Sequence, residues 1–345
     1  MGKLLSVCIP TYNRINELTE VIDSLLTLPG NNFDIVITDN LSTDETCEKL
    51  LAYSDARVKY IRNEKALPPF LNMIRSIFNA TGEYALYCND RDLLYPEGIS
   101  KLMEVLKGQE LAFLWSPAAG KKSTNKLSVY SAGYDSLMAH ASIHHPTGMV
   151  YNRRIMAEHL EESNYERFLP YINTYDFLML DLFQYGKSAV YDGGYWSSRP
   201  ASFIKKHKSG TRLYFSPEVR EEMFHGIMDH VFLDNEYHIS LEQKKNLVKK
   251  INRNFATLFC KYKACMADVN ETAHYGLEPR FISTEKILQI YKGFFSRSLL
   301  YLNDRGYEPA LIDAMKQDRA SLLTHVVSKC LKIDLITIVS KIRQR

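Results

Sequence analysis

The stretch Leu4-Leu5-Ser6-Val7-Cys8-Ile9-Pro10-Thr11-Tyr12-Asn13-Arg14 runs from an apolar block straight into a polar turn. A short apolar run stopped by proline and asparagine reads as a buried strand, here Leu4–Ile9. Behind it, Asn16–Leu28 puts Leu18, Val21, Ile22 and Leu25 on one helical face before Pro29-Gly30 ends the pattern. The alternation then repeats. Strands are expected at Phe33–Thr38, Val58–Ile61, Glu83–Cys88 and Leu111–Trp115, and helices at Ser42–Leu51, Phe70–Asn79 and Glu97–Leu106. Ser42 or Thr43 suits the N-cap of the second helix, and Pro96 suits the first turn of the last. Such alternation predicts an α/β fold: a mostly parallel, Rossmann-like sheet flanked by helices. In sheets of this kind ligands bind beyond the carboxyl ends of the strands, so the polar residues just after the first, second and fourth strands draw attention first.

Farther along, Lys121–Tyr130 reads as a polar excursion and His145–Val150 as extended. Arg153–Glu162 and Thr174–Tyr185 read as helices, with strand character returning at Ser188–Tyr191 and Tyr195–Ser198. From about Phe215 the pattern is helical only: Glu218–Asn235, Leu241–Met266, Thr284–Asn303, Pro309–Lys316 and Ala320–Arg343. A boundary near Arg212–Pro217 therefore separates an α/β domain, 1–213, from an all-helical C-terminal domain, 214–345.

Composition narrows the function classes. A hydrophobic fraction of 46% and a charged fraction of 24% describe a globular chain, and a net charge of +3 over 345 residues leaves no global nucleic-acid footprint. The six cysteines lack metal-finger spacing and read as free thiols. No secretory leader and no membrane-spanning run are evident, which points to a cytoplasmic protein, soluble or peripheral on the inner membrane face.

Three segments that follow strands carry the chemistry. The first is Pro10-Thr11-Tyr12-Asn13-Arg14, and the second is Asp39-Asn40-Leu41-Ser42-Thr43-Asp44. The third, after Ala80-Thr81-Gly82-Glu83-Tyr84, is Cys88-Asn89-Asp90-Arg91-Asp92, four residues before Pro96. In this order and spacing, over roughly Leu4–Arg199, they resemble the family 2 glycosyltransferases of the GT-A fold. The resemblance implies that the Pro10–Arg14 loop contacts a nucleoside through Pro10, Thr11 and Tyr12, that Asp39 accepts N3–H of a uracil-type base, and that Arg14 reaches a diphosphate. Asp39 read locally is a turn-capping aspartate. Where the family carries N-x-G-x-x-x-N, this chain has Ala66-Leu67-Pro68-Pro69-Phe70-Leu71-Asn72, of which Asn72 is kept as a donor-side residue.

The acidic segment departs from the family's D-x-D-D pattern. Asp92 matches the last aspartate, Arg91 falls on the slot of the metal-binding carboxylate, and Asn89 replaces the first aspartate. Three arrangements are open. Asp90 and Asp92 hold a divalent cation, manganese or magnesium, through a slipped loop; or Arg91 meets the diphosphate itself; or the domain has ceased to catalyse. Inverting transfer needs one general base. The resemblance implies an aspartate at the start of an apolar helix, which here is Asp176 in Tyr175-Asp176-Phe177-Leu178-Met179-Leu180, with Tyr175 in place of the usual glutamate.

By the same resemblance His144-His145-Pro146-Thr147-Gly148 lies on the acceptor side, one histidine serving packing or acceptor contact. Lys205-Lys206-His207-Lys208 lies where a loop closes over the diphosphate, or is a solvated charge run. The implied activity is transfer of a sugar from a nucleoside diphosphate, UDP by default, to a glycan hydroxyl, the acceptor often lipid-linked, in surface polysaccharide assembly. A non-catalytic subunit that binds a sugar nucleotide or a partner enzyme is the rival. Along the last helix, Leu323, Val327, Leu331, Leu335, Ile338 and Ile342 form a stripe flanked by Lys329, Lys332, Lys341, Arg343 and Arg345. It suits a membrane surface, self-association into a homo-oligomer, or ordinary core.

Overall fold

The computed structural model describes residues 2–120, 123–141, 145–171, 173–199, 212–235 and 237–343, the side chains of 274 and 337–343 excepted. The chain divides into two compact units, Met1–Ala139 with Ile143–Arg199, and His140–Ser142 with Pro200–Arg345.

The first unit opens as the periodicity predicts. Strand β1 (Leu5–Thr11) is followed by α1 (Ile15–Leu26), β2 (Phe33–Asp39), α2 (Thr46–Leu51), β3 (Val58–Arg62), α3 (Pro69–Phe78) and β4 (Tyr84–Tyr87). Then come β5 (Leu93–Leu94), α4 (Pro96–Leu106), β6 (Leu111–Trp115), β7 (Leu127–Tyr130), α5 (Tyr134–His140), β8 (Met149–Asn152) and α6 (Arg153–His159). A 3-10 turn at Glu162–Phe168, α7 (Thr174–Leu182), β9 (Lys187–Tyr191) and β10 (Trp196–Ser197) complete it. Eight strands form one sheet in the order β3-β2-β1-β4-β8-β6-β9-β7, and β10 pairs with β5 apart from it. The half β3-β2-β1-β4 is wholly parallel; β8 runs antiparallel to both β4 and β6, β9 parallel to β6, and β7 antiparallel to β9.

Burial explains the arrangement. Strands β1 and β2 are buried almost throughout, as a sheet covered on both faces requires. Leu18, Val21, Ile22 and Leu25 of α1 and Ile99, Leu102 and Leu106 of α4 share one core with them, each large side chain contributing about 1.5–3 kcal/mol. Helix α3 packs on α7 and the 3-10 turn. Gly82 is required where it stands: a Cβ there would lie 2.8 Å from the Leu5 carbonyl carbon of β1.

One helix start differs from expectation. α2 begins at Thr46, not Ser42, because Asp44 Oδ1 accepts from the Thr46 backbone N–H at 3.1 Å, while Ser42 is engaged by Asp39. The excursion before β7 is described from residue 123 onward, and Lys121 lies outside the described residues. The extended stretch expected at His145–Val150 becomes a strand only at Met149.

The second unit is helical: α8 (Pro217–Asp229) with a wider turn at His230–Asp234, α9 (Leu241–Ala267), α10 (Val269–His274), α11 (Thr284–Asp304), α12 (Pro309–Gln317) and α13 (Arg319–Arg343). Ser216, Ser240 and Ser283 cap α8, α9 and α11, Ser240 in a reciprocal capping box with Gln243. Around α9 pack α8, α12 and α13. The stripe expected on α13 lies beside the face that packs. Leu322, Val326 and Cys330 are buried, whereas Leu331 is 57% and Leu335 62% exposed. The buried stripe ends in Asp334, which pairs with Lys263 of α9 at 2.6 Å, so its polar end disguised it. Ile338, Lys341, Ile342, Arg343 and Arg345 have side chains outside those described.

Candidate functional site

Strand register lines the carboxyl edge of the sheet with the segments picked out above. Thr11 stands opposite Asp39 across β1 and β2, and Cys8 opposite Tyr87 across β1 and β4, so the chain leaving β4 comes level with the end of β1. Thr11 Oγ1 accordingly donates to Asp90 Oδ2 at 3.1 Å, and Arg14 Nη1 to Asp90 Oδ1 at 3.0 Å. Asp39, Thr11, Arg14 and Asp90 thus form one continuous edge.

The Asp39 end is tightly organised. Asp39 is fully buried; its Oδ1 accepts from the backbone N–H and hydroxyl of Ser42, and its Oδ2 from the Tyr60 hydroxyl at 2.8 Å. Ser42 Oγ in turn accepts from the Asn13 backbone N–H, and Asn13 Oδ1 accepts from the Thr43 backbone N–H at 2.7 Å. Asn13 holds φ 56°, a left-handed conformation that asparagine tolerates. The two loops are therefore locked together by side chains. Tyr12 stands 53% exposed above them and Pro10 is half-buried, which leaves a flat ring free to face a base. Asn72 is buried instead, its Oδ1 accepting from Asn63 and its Nδ2 donating to the Thr38 carbonyl. It supports the end of β2.

At the other end, Asp92 is 1% exposed and its Oδ2 accepts from Asn89 Nδ2 at 2.8 Å and from Thr147 Oγ1 at 2.5 Å. His145 stacks on Trp196, ring centres 4.8 Å apart, with its Nε2 3.9 Å from Asp92; burial pushes its pKa down against the pull of that carboxylate. His144 lies outside the described residues, as do Lys205, Lys206, His207 and Lys208. Gly148 sits at φ 96°, where a Cβ would lie 2.3 Å from Trp196 Nε1, so only glycine lets the tryptophan close this end. Burial raises the Asp90 carboxyl above its ordinary value, outweighing the Arg14 charge and the Thr11 hydroxyl that lower it. Arg91 is half-buried beside Asp90.

Held this way, the donor set does not suit a divalent cation. A hard ion needs several oxygens turned to one point. Both Asp90 oxygens are bonded to Arg14 and Thr11, and Asp92 Oδ2 is bonded to Asn89 and Thr147. Among the described residues no three His, Cys, Asp or Glu side chains are grouped to hold a metal.

Asp176 lies in the first turn of α7, 1% exposed, its backbone N–H donating to Asn173 at 3.0 Å. The Tyr151 hydroxyl of β8 has its pKa raised by burial first and then by the Asp176 charge. Asp181 is bonded to the Tyr165 hydroxyl at 2.8 Å and is structural. A cavity of about 350 Å³ opens between α3 and the 3-10 turn, lined by Leu67, Leu71, Arg75, Glu162, Ser163 and Glu166. Its rim is tied to the edge, for Asn40 Nδ2 donates to the Leu67 carbonyl at 2.8 Å. Chemistry, not concavity, marks the candidate site. Reading the sequence missed Ser42 and Thr147 as ligands of Asp39 and Asp92; the only signal for Thr147 was its place beside Gly148 in an extended stretch.

The model of the glycosyl transferase family 2 matches residues 6–160. An abequosyltransferase of Salmonella typhimurium is 34% identical over 116 residues, 32% of this chain and 35% of that enzyme. A UDP-Glc:alpha-D-GlcNAc-diphosphoundecaprenol beta-1,3-glucosyltransferase of Escherichia coli is 23% identical over 112 residues, 32% of this chain and 44% of that one. The chain thus spans less than half the length of these curated relatives. In solved structures, S. aureus TarS (residues 1 to 349) in complex with UDP-GlcNAc superposes with a TM-score of 0.56 at 17% identity, covering 92% of each chain. Residues 6–160 are thus similar to glycosyl transferase family 2, on a fold of the GT-A type.

Proposed function

We propose that this chain transfers a sugar, with inversion, from a nucleoside diphosphate donor to a glycan hydroxyl in the assembly of a bacterial surface polysaccharide. The observation that carries the reading is the edge on which Thr11, level with Asp39 in register, and Arg14 both bond to Asp90. The base lies toward Asp39 with Tyr12 over it, and the diphosphate toward Arg14 and Arg91. A uridine donor is supported by the names of the TarS complex and the E. coli relative. The E. coli name also supports a lipid-linked acceptor.

Asp176 is the general base. It takes the proton of the acceptor hydroxyl as that oxygen attacks the anomeric carbon; the bond from carbon to phosphate oxygen breaks on the opposite face, and its electron pair leaves with the diphosphate. Burial in the first turn of α7 gives the carboxylate few competing water contacts, and the helix N-terminus favours its charge until the proton arrives.

Thermal unfolding of the full chain with UDP, GDP, CDP and dTDP tests the donor. One nucleotide at a hundred times its dissociation constant is expected to stabilise the fold by about 2.7 kcal/mol. No shift with any of them would replace this reading with that of a non-catalytic subunit.

Peripheral membrane contact is supported by the exposed face of α13. No helix among the described residues is long and apolar enough to cross a membrane. Yet Leu331, Leu335 and Ile336 are exposed on α13 beside exposed Lys329 and Lys332. A cationic helix face of this kind favours anionic lipid. Leu331→Asp with Leu335→Asp is expected to abolish cosedimentation with anionic liposomes; equal sedimentation of variant and parent would overturn the contact, and a change of mass in sedimentation equilibrium would assign the face to self-association.

A further inference from the structure

The carboxylate at the phosphate end of the edge is already paired with a cation, and that cation belongs to the protein. Asp90 is 7% exposed, and its two oxygens are shared between Arg14 Nη1 and Thr11 Oγ1. Arg14 is placed to do more than neutralise it. It follows the left-handed Asn13 and precedes α1, its backbone carbonyl accepting from the Leu18 N–H, so its main chain is fixed by two elements. The bond to Asp90 uses one of the five N–H donors of the guanidinium, and no other side-chain bond of Arg14 occurs among the described residues. The side chain retains 27% of its exposure. A guanidinium held at one corner and open at the others presents a planar fork, the geometry that binds two phosphate oxygens at once. Arg91, the other cation of this end, has no carboxylate holding it among the described residues.

We infer that Arg14, oriented by Asp90, takes the place of a divalent cation at the donor diphosphate, so that nucleotide binding proceeds without metal. This inference rests on the proposed donor site. Asp90 is then a positioning residue: its carboxylate aims the fork, and Thr11 aims the carboxylate. The leaving diphosphate gains its positive partner from a side chain that costs no reorganisation when the bond to the sugar breaks.

The test is the dissociation constant of UDP, GDP, CDP and dTDP for the full chain, measured by calorimetry in excess EDTA and again with manganese. For the parent protein, the nucleotide that binds is expected to bind equally in both. Arg14→Ala is expected to weaken it about ten- to hundredfold in EDTA. Manganese is expected to restore part of that loss only in Arg14→Ala, because removing the guanidinium leaves the Asp90 carboxylate to the ion. Parent binding that vanishes in EDTA overturns the inference while leaving the donor site standing, and needs no variant to fold. Arg14→Ala binding as tightly as the parent in EDTA also overturns it. Failure of every nucleotide to bind under either condition overturns both the inference and the donor site beneath it.

Discussion

Two buried aspartates at opposite ends of one sheet have opposite environments. Asp34, near the start of β2, is fully buried; its Oδ1 accepts from Ser6 Oγ, and its Oδ2 from Thr81 Oγ1 at 2.6 Å and Lys59 Nζ at 2.7 Å, with Lys3 at 3.3 Å. Burial alone lifts its pKa, yet these bonds and the Lys3 charge bring it below its ordinary value. Asp90, beyond β4, has two partners, and burial prevails. A carboxylate that is saturated with donors and shielded on all sides holds a fold together. One that is buried but sparsely partnered, on a loop beyond the strands, is placed to orient the cation that bonds to it.

Substitutions sharpen the contrast. The largest effect is expected at the proposed base in α7, and in rate alone. Asp176→Asn should lower transfer about 10²- to 10⁴-fold while the unfolding midpoint stays near that of the parent; a variant keeping more than about a tenth of the turnover would remove Asp176 from the base role.

At the amino edge the effect should fall on stability. Asp34→Asn is expected to cost about 2–3 kcal/mol at neutral pH, since hydrogen bonds to a charged group are each worth about 1.5–3, with nucleotide affinity unchanged. The folded carboxyl binds its proton less tightly than the unfolded one, so its contribution is full above the ordinary value of 3.8 and is lost as pH falls through the lowered one. Denaturant titrations should show parent and variant converging below about pH 4. A gap that persists in acid would break the comparison. Smallest is Ser42→Ala, which unlinks Asn13 from Asp39; a loss of about 1 kcal/mol is expected in nucleotide binding, read by the same calorimetry, and undiminished affinity would show that the two loops need no tie.

Much of the first unit was legible because its signals are periodic. Leu18, Val21, Ile22 and Leu25 mark a helix face by spacing alone, and the apolar runs of β1, β2 and β4 bracket the loops that bear Arg14, Asp39 and Asp90. What was not legible has no period. Ser42 reads as an N-cap until Asp39 is seen to take both its backbone N–H and its hydroxyl. Local side-chain bonds of this sort compete with helix starts, and sequence does not say which wins. On α13 two apolar stripes lie side by side, and the choice fell to Asp334, whose partner Lys263 is on another helix. Asp90 and Asp92 were readable as acids, but their donors Thr11, Arg14, Asn89 and Thr147 are brought to them by the sheet.

The stacking of His145 on Trp196 has an optical consequence. The chain has two tryptophans, Trp115 at the end of β6 and Trp196 in β10, and the Trp196 indole donates to the carbonyl of Ser116, the residue after Trp115. Excited at wavelengths where the 22 tyrosines absorb little, the intact protein therefore emits from two indoles of its first unit and from nowhere in its helical unit. The molecule carries its own fluorophore against His145 and near Asp92, so a change of emission on adding nucleotide would report binding at the proposed donor site without a label.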